Sequence, residues 1–140
     1  MHSHFFDECL RLAEQAAQNS EVPIGAVLVK DGVIVARSAN ETEARMSFIA
    51  HAELNCLKEA AQKLGTKYLQ GCELYVSLEP CLMCLTAAKL SRVDAIHYLV
   101  ASEKFGASGP GYRELKMQCH DGTQSEESRS LLRRFFEARR

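Results

Sequence analysis

The 140-residue sequence predicts an α/β domain of three layers, α/β/α, around a central mixed sheet of about five strands. Apolar, β-branched runs alternate along the chain with stretches of helical periodicity. Two of those runs flank Asp31-Gly32, a strong hairpin signal. Helical stretches at both ends of the chain carry one apolar side each, as helices that cover a sheet do. The length suits a single domain spanning residues 1–140, able to bury roughly two thirds of its unfolded surface.

Residues 3–19 read as an amphipathic helix. Phe6, Cys9, Leu10, Ala13, Ala16 and Ala17 recur at three- and four-residue steps between Asp7, Glu8, Arg11 and Glu14. Ser20 and Glu21 lead out of it. Residues 22–29 and 33–36 form the two arms of the hairpin. Pro23 fits only at a strand start, where no ladder hydrogen bond is needed. Gly25 lets another backbone or a ligand approach closely. Residues 37–49 are polar and read as a loop.

A helix follows over about 51–64, with Ala52, Cys56, Ala60 and Leu64 on one stripe, and Gly65 stops it. Residues 72–78 are a third strand. Pro80 is expected in the first turn of a helix over about 81–90. Residues 93–100 are a fourth strand, 105–111 a glycine-rich loop, and 115–119 a short fifth strand. The chain closes with a helix over 125–140, its apolar side made by Leu131, Leu132, Phe135 and Phe136. No internal repeat, linker or low-complexity segment interrupts this order.

Composition narrows the function classes. Apolar content of 46% and charged content of 25% are those of a globular protein, and no apolar run approaches the ~18 residues of a membrane span. The first residues show neither a basic n-region nor a long apolar run, so a cytoplasmic location without a membrane partner is expected. A net charge of −1 places any nucleic-acid surface in a local patch. Of the cysteines, Cys9, Cys56, Cys72 and Cys119 sit among apolar residues and read as buried free thiols. His2, His4, His97 and His120 lie outside any motif and read as structural or surface residues.

The chemistry concentrates in two segments, His51-Ala52-Glu53 and Pro80-Cys81-Leu82-Met83-Cys84. They offer one imidazole and two thiolates, three ligands for one Zn²⁺ per subunit, and leave a fourth tetrahedral position for water. Cys81 and Cys84 are three apart, so they share a helix face, in a first turn whose dipole favours thiolate. His51 and Glu53 are two apart and point to nearly opposite sides of a helix. Both reach one site only if that helix meets it end-on, so two helix N-termini should converge on the metal.

The pattern H-x-E…P-C-x-x-C is a known signature of zinc-dependent nucleobase deaminases. In that chemistry a zinc-activated water attacks the ring carbon bearing the amine, Glu53 shuttles the protons, and ammonia leaves. A C-x-x-C alone also suits a redox pair or half of a structural zinc site. The partner residues His51 and Glu53, and the lack of a second C-x-x-C, weigh against both.

Further motifs carry a more specific likeness. These are Glu21-Val22-Pro23-Ile24-Gly25-Ala26-Val27-Leu28-Val29, Leu74-Tyr75-Val76-Ser77-Leu78-Glu79 ahead of the Pro80 segment, Ser91-Arg92-Val93, Lys104-Phe105-Gly106-Ala107, and Leu131-Leu132-Arg133-Arg134-Phe135-Phe136-Glu137-Ala138-Arg139-Arg140. With the zinc signature, they make residues 9–140 resemble the bacterial tRNA adenosine deaminases, which convert the wobble adenosine of an anticodon to inosine.

The resemblance implies a cytidine-deaminase-like fold, with His51, Cys81 and Cys84 as zinc ligands and Glu53 as proton shuttle. It implies that Asn40 hydrogen-bonds the base, and that Lys104, Phe136, Arg139 and Arg140 bind a tRNA anticodon stem-loop. It also implies a homodimer in which the partner subunit completes each pocket. Independently, Arg129, Arg133, Arg134, Arg139 and Arg140 outnumber Glu126, Glu127 and Glu137 in the tail, a local basic excess beside paired aromatics. An amphipathic helix whose closing arginines offset its own dipole has the same composition.

Ser47-Phe48-Ile49 stands where the family usually has Asp-Pro-Thr. Ser102 stands where it usually has an aspartate near the substrate ribose, and the 109–115 stretch is shorter than usual. Two other functions fit the zinc signature. One is a deaminase of a free guanine- or cytosine-type base or nucleoside, which would work without RNA. The other is a zinc-stabilised RNA-binding subunit without catalysis, which would have no use for Glu53.

Overall fold

The computed structural model describes residues 2–102 and 115–139. Helix α1 (His2–Gln18) leads into the hairpin β1 (Gly25–Lys30) and β2 (Val33–Ala39). Helix α2 (Ala52–Leu64), strand β3 (Cys72–Val76), helix α3 (Leu82–Ser91) and strand β4 (Ala95–Tyr98) follow. Strand β5 (Lys116–Cys119) and helix α4 (Thr123–Glu137) complete the order. The strands form one sheet in the order β2-β1-β3-β4-β5. β1 is antiparallel to both β2 and β3, whereas β3, β4 and β5 run parallel, which makes the sheet mixed as expected.

Alternation along the strands sorts the core into two layers. Ala26, Leu28, Leu74, Val76 and Ile96 face α2 and α3, where Cys56, Ala60, Leu85 and Ala88 close over them. Val27, Val29 and Tyr75 point the other way, against Phe5, Phe6, Cys9 and Ala13 of α1 and Leu131 of α4. The α/β/α layering thus follows from the period-two pattern of the strands.

The hairpin turn has positive φ at both central residues, Asp31 (52°) and Gly32 (77°), the type I′ geometry that matches strand twist. Gly25 answers a close approach by backbone: a Cβ there would lie 2.1 Å from the Cys9 carbonyl oxygen and 2.7 Å from Leu12 Cβ. That glycine lets α1 seat directly on β1.

Some boundaries differ from expectation. β1 starts at Gly25 rather than residue 22, because the Ile24 N–H bonds back to Val22 around Pro23, a tight turn outside the ladder. β2 extends to Ala39, since Arg37 and Ser38 still pair with β1 on this edge strand. Pro80 lies outside the helix it precedes: Cys81 is the N-cap, with extended backbone at φ −71° and ψ 172°. α4 begins two residues early, where the Ser125 hydroxyl accepts the Gly122 N–H at 2.6 Å. Cys9, Cys56 and Cys72 are buried free thiols, but Cys119 is exposed, because it ends an edge strand. Among the described residues no helix is long and apolar enough to cross a membrane.

Candidate active site

Helices α2 and α3 begin side by side. His51 is the N-cap of α2, with extended backbone at φ −70° and ψ 150°, and Cys81 is the equivalent residue of α3. His51 Nδ1 lies 3.3 Å from Cys84 Sγ and 3.7 Å from Cys81 Sγ. The imidazole nitrogen and the two sulfurs lie within 4.8 Å of one another. Nitrogen and sulfur ligands of a tetrahedral zinc are about 3.6 Å apart. The observed distances bracket that value, and the donor set fits the metal.

The local electrostatics favour a thiolate. Hydrogen bonds from Cys84 and His51 pull the Cys81 thiol down to about 4. The same hydrogen bond with Cys81, together with burial, pushes the Cys84 thiol up. His51 is raised by its contact with Cys81. The two sulfurs therefore compete for one proton between them, and a cation placed there would relieve the competition.

Glu53 is the second residue of α2, and it is buried. Its Oε1 has no hydrogen-bond partner among the described residues. Burial raises its carboxyl to about 7, against the pull of His51. A carboxyl near neutrality with one free oxygen can both take up and release a proton.

His51, Glu53 and Cys81 line a cavity of about 890 Å³. Its walls include Val22, Ile24, Asn40, Thr42, Leu78, Glu79, Val100 and Ser102, with Arg129, Leu132 and Phe136 contributed by α4. Asn40 is buried; its backbone N–H donates to the Ile24 carbonyl at 3.0 Å and its Nδ2 to the Val22 carbonyl at 3.4 Å. That arrangement leaves Asn40 Oδ1 without a partner among the described residues. The unpaired side-chain oxygens of Asn40 and Glu53 thus belong to one cavity.

Residues 1–100 match the family described as the cytidine and deoxycytidylate deaminase zinc-binding region. The chain belongs to this family. It is therefore a deaminase of a zinc-dependent, hydrolytic class. It is 39% identical to the tRNA-specific adenosine deaminase of Agrobacterium fabrum (strain C58), covering 99% of this chain and 95% of that protein. It is 40% identical to the enzyme of the same description from Bacillus subtilis (strain 168), covering 94% and 86%. A solved tRNA:A34 deaminase, studied for A-to-I editing at the wobble position of transfer RNA, superposes with a TM-score of 0.85 at 37% identity. That match covers 93% of this chain and 99% of the other, and bears out the cytidine-deaminase-like fold.

Around the deaminase site, two buried carboxylates that the sequence did not single out hold loops in place. Glu21 accepts the backbone N–H groups of Glu43 at 2.8 Å and Ala44 at 2.7 Å, tying down the loop that continues from Asn40 and Thr42. Glu79 accepts the Ser102 N–H at 3.0 Å on the opposite wall. Both span more than twenty residues and obey no short motif.

Of the residues assigned to nucleic acid, Phe136 lines the cavity and is half exposed. Arg139 lies folded on its own helix, its guanidinium 3.5 Å from the Phe135 ring centroid and donating to the Phe135 carbonyl at 3.2 Å. Lys104, Arg140 and the 105–111 loop lie outside the described residues. Arg129, on the cavity wall, is the arginine that the sequence placed only in a general basic excess.

Proposed function

We propose that the chain, as a single domain over residues 1–140, deaminates adenosine to inosine at the wobble position of a tRNA anticodon loop. One observation carries this reading: Asn40 and Glu53, each with an unpaired side-chain oxygen, line one cavity with His51 and Cys81, whose donor atoms cluster with Cys84 Sγ. The tRNA-specific adenosine deaminases to which it is similar supply the substrate class.

His51, Cys81 and Cys84 would hold one Zn²⁺ per subunit. When bound, zinc supplies Lewis acidity that brings the ionisation of water towards neutral pH. Glu53 accepts a proton from the attacking water and delivers it to the ring nitrogen beside the amine-bearing carbon. It then carries the second proton to the departing amine, so water ends as the ring carbonyl oxygen and the amine leaves as ammonia. Asn40 Oδ1 accepts a hydrogen bond from the base and holds it over Glu53. A base already unpaired in a loop costs little to extrude into such a cavity.

The basic α4 supports an RNA substrate, with Arg129 and Phe136 at the cavity, Arg133 and Arg134 exposed on the same helix, and Arg139 and Arg140 following it in sequence. A homodimer is supported by apolar surface beside both metal segments. Met46 is 93% exposed and Phe48 83% exposed just ahead of His51, and Leu82 and Leu90 are exposed on α3. A cytoplasmic location accords with a tRNA substrate.

The test is to give zinc-loaded protein an adenosine-bearing anticodon stem-loop, its DNA counterpart, free adenosine, cytidine and guanine. Inosine from the RNA is expected. Turnover of guanine or cytidine without turnover of the RNA would overturn the reading.

A further inference from the structure

His2, His97 and His120 come together on the other face of the sheet from the deaminase site. His97 lies on β4 between Ile96 and Tyr98, which face α2 and α3, so its ring points towards α1. His2 opens α1, and His120 follows β5, where its backbone N–H donates to the Tyr98 carbonyl at 2.7 Å. One ring nitrogen from each lies within 4.8 Å of the other two. We infer that these three histidines form a second site for a divalent transition-metal ion, which would tie the start of α1 to the β4–β5 edge.

The hydrogen bonds around the cluster suit ligation. His97 Nε2 lies 3.0 Å from Glu73 Oε1, and His97 Nδ1 lies 2.8 Å from His120 Nε2. If Nε2–H donates to the carboxylate, Nδ1 presents a lone pair, and a single proton lies between the two imidazoles. A metal ion can replace that proton, with the nitrogens parting to about 3.3 Å around a tetrahedral centre. A carboxylate behind a ligating histidine is the usual arrangement at metal sites, because it fixes the tautomer and raises ligand basicity.

The surroundings hold the rings in place. His97 is 2% exposed and stacks on Tyr75 with ring centroids 4.5 Å apart. The Tyr75 hydroxyl lies 2.6 Å from His2 Nδ1. Burial, with the neighbouring imidazoles, lowers the pKa of His2 and His120 from the ordinary histidine value. His2 and His120 also border a cleft of about 430 Å³ that gives solvent access to the cluster. Three imidazoles are a ligand set suited to zinc, copper or nickel.

Zinc itself is the probe. Metal-free full-length protein is dialysed against Zn²⁺ and the bound metal is counted by elemental analysis, with circular dichroism to confirm folding. Wild-type protein should bind a second zinc that His2→Ala and His120→Ala each lose; both residues are accessible enough to replace without opening the core. Glu73→Gln should keep the second zinc but weaken it by roughly 10–100-fold.

A Cys81→Ser, Cys84→Ser double variant should retain the histidine-bound zinc alone. A single zinc in wild-type protein, absent from the double cysteine variant, would overturn the second site and leave the deaminase centre intact. A single zinc that survives in that variant and vanishes in His120→Ala would instead overturn the deaminase centre. Zinc content unchanged by both histidine substitutions would also refute the second site.

Discussion

His51 and Cys81 hold the same station in two different helices: each is an N-cap with extended backbone, and their Nδ1 and Sγ atoms lie 3.7 Å apart. Two helix N-termini therefore converge on one point, and their partial positive charges favour the anionic form of sulfur there. The same convergence lets Glu53, only two residues from His51, belong to the same cavity. Side-by-side packing of α2 against the site would have sent Glu53 away from it.

Asn40 is expected to act on substrate and to contribute little to folding. Asn40→Ala removes the unpaired Oδ1 from the cavity, at a cost of about 1–3 kcal/mol in base binding, or roughly five- to 150-fold in kcat/KM. The Nδ2 bond to Val22 that goes with it is long, so the thermal midpoint should move little. Steady-state kinetics beside a melting curve separate the two effects.

Glu21 should show the opposite balance. Its carboxylate pairs two backbone N–H groups, and Glu21→Ala would leave them without that acceptor, a loss of about 1–3 kcal/mol. Denaturant unfolding should register the loss. Activity should fall too, because the freed loop carries Thr42 and adjoins Asn40.

Gly25 is a sharper test of the fold. Gly25→Ala places a methyl group 2.1 Å from the Cys9 carbonyl, against backbone that cannot turn aside. Separating α1 from β1 should cost about 1–3 kcal/mol or more, read as a lowered denaturation midpoint. An unchanged midpoint would mean that α1 is not seated as described.

The tail is tested by salt. Arg139→Ala combined with Arg140→Ala should weaken binding to an anticodon stem-loop and reduce the slope of log affinity against log salt by about 1.4, on the scale of about 0.7 for each single-strand phosphate contact. Turnover of any free nucleoside should be unaffected. An unchanged slope would assign the arginines to packing, the role in which Arg139 already covers Phe135.

Legibility in the sequence followed the range of the physics. The Asp31-Gly32 hairpin, the amphipathic α1 and the converging metal segments are local patterns with a fixed period or spacing, and each could be read directly. Glu21 and Glu79 could not, because a carboxylate binding backbone N–H groups more than twenty residues away leaves no periodic trace. His2, His97 and His120 passed as isolated histidines for the same reason: pairing of β4 with β5 and packing of α1 on the sheet, not sequence spacing, bring them together. Element ends shifted where a single cap decided them. Cys81 took the N-cap and left Pro80 outside the helix, and Cys119 met solvent because the sheet ends at β5.

The most direct test of the central claim is zinc content and inosine formation measured together on Glu53→Ala. The variant should retain the zinc held by His51, Cys81 and Cys84 while inosine formation falls by at least about 10²–10⁴-fold, the range for loss of a general acid–base. Full activity in the zinc-loaded variant would contradict the account by showing that the proton path runs elsewhere.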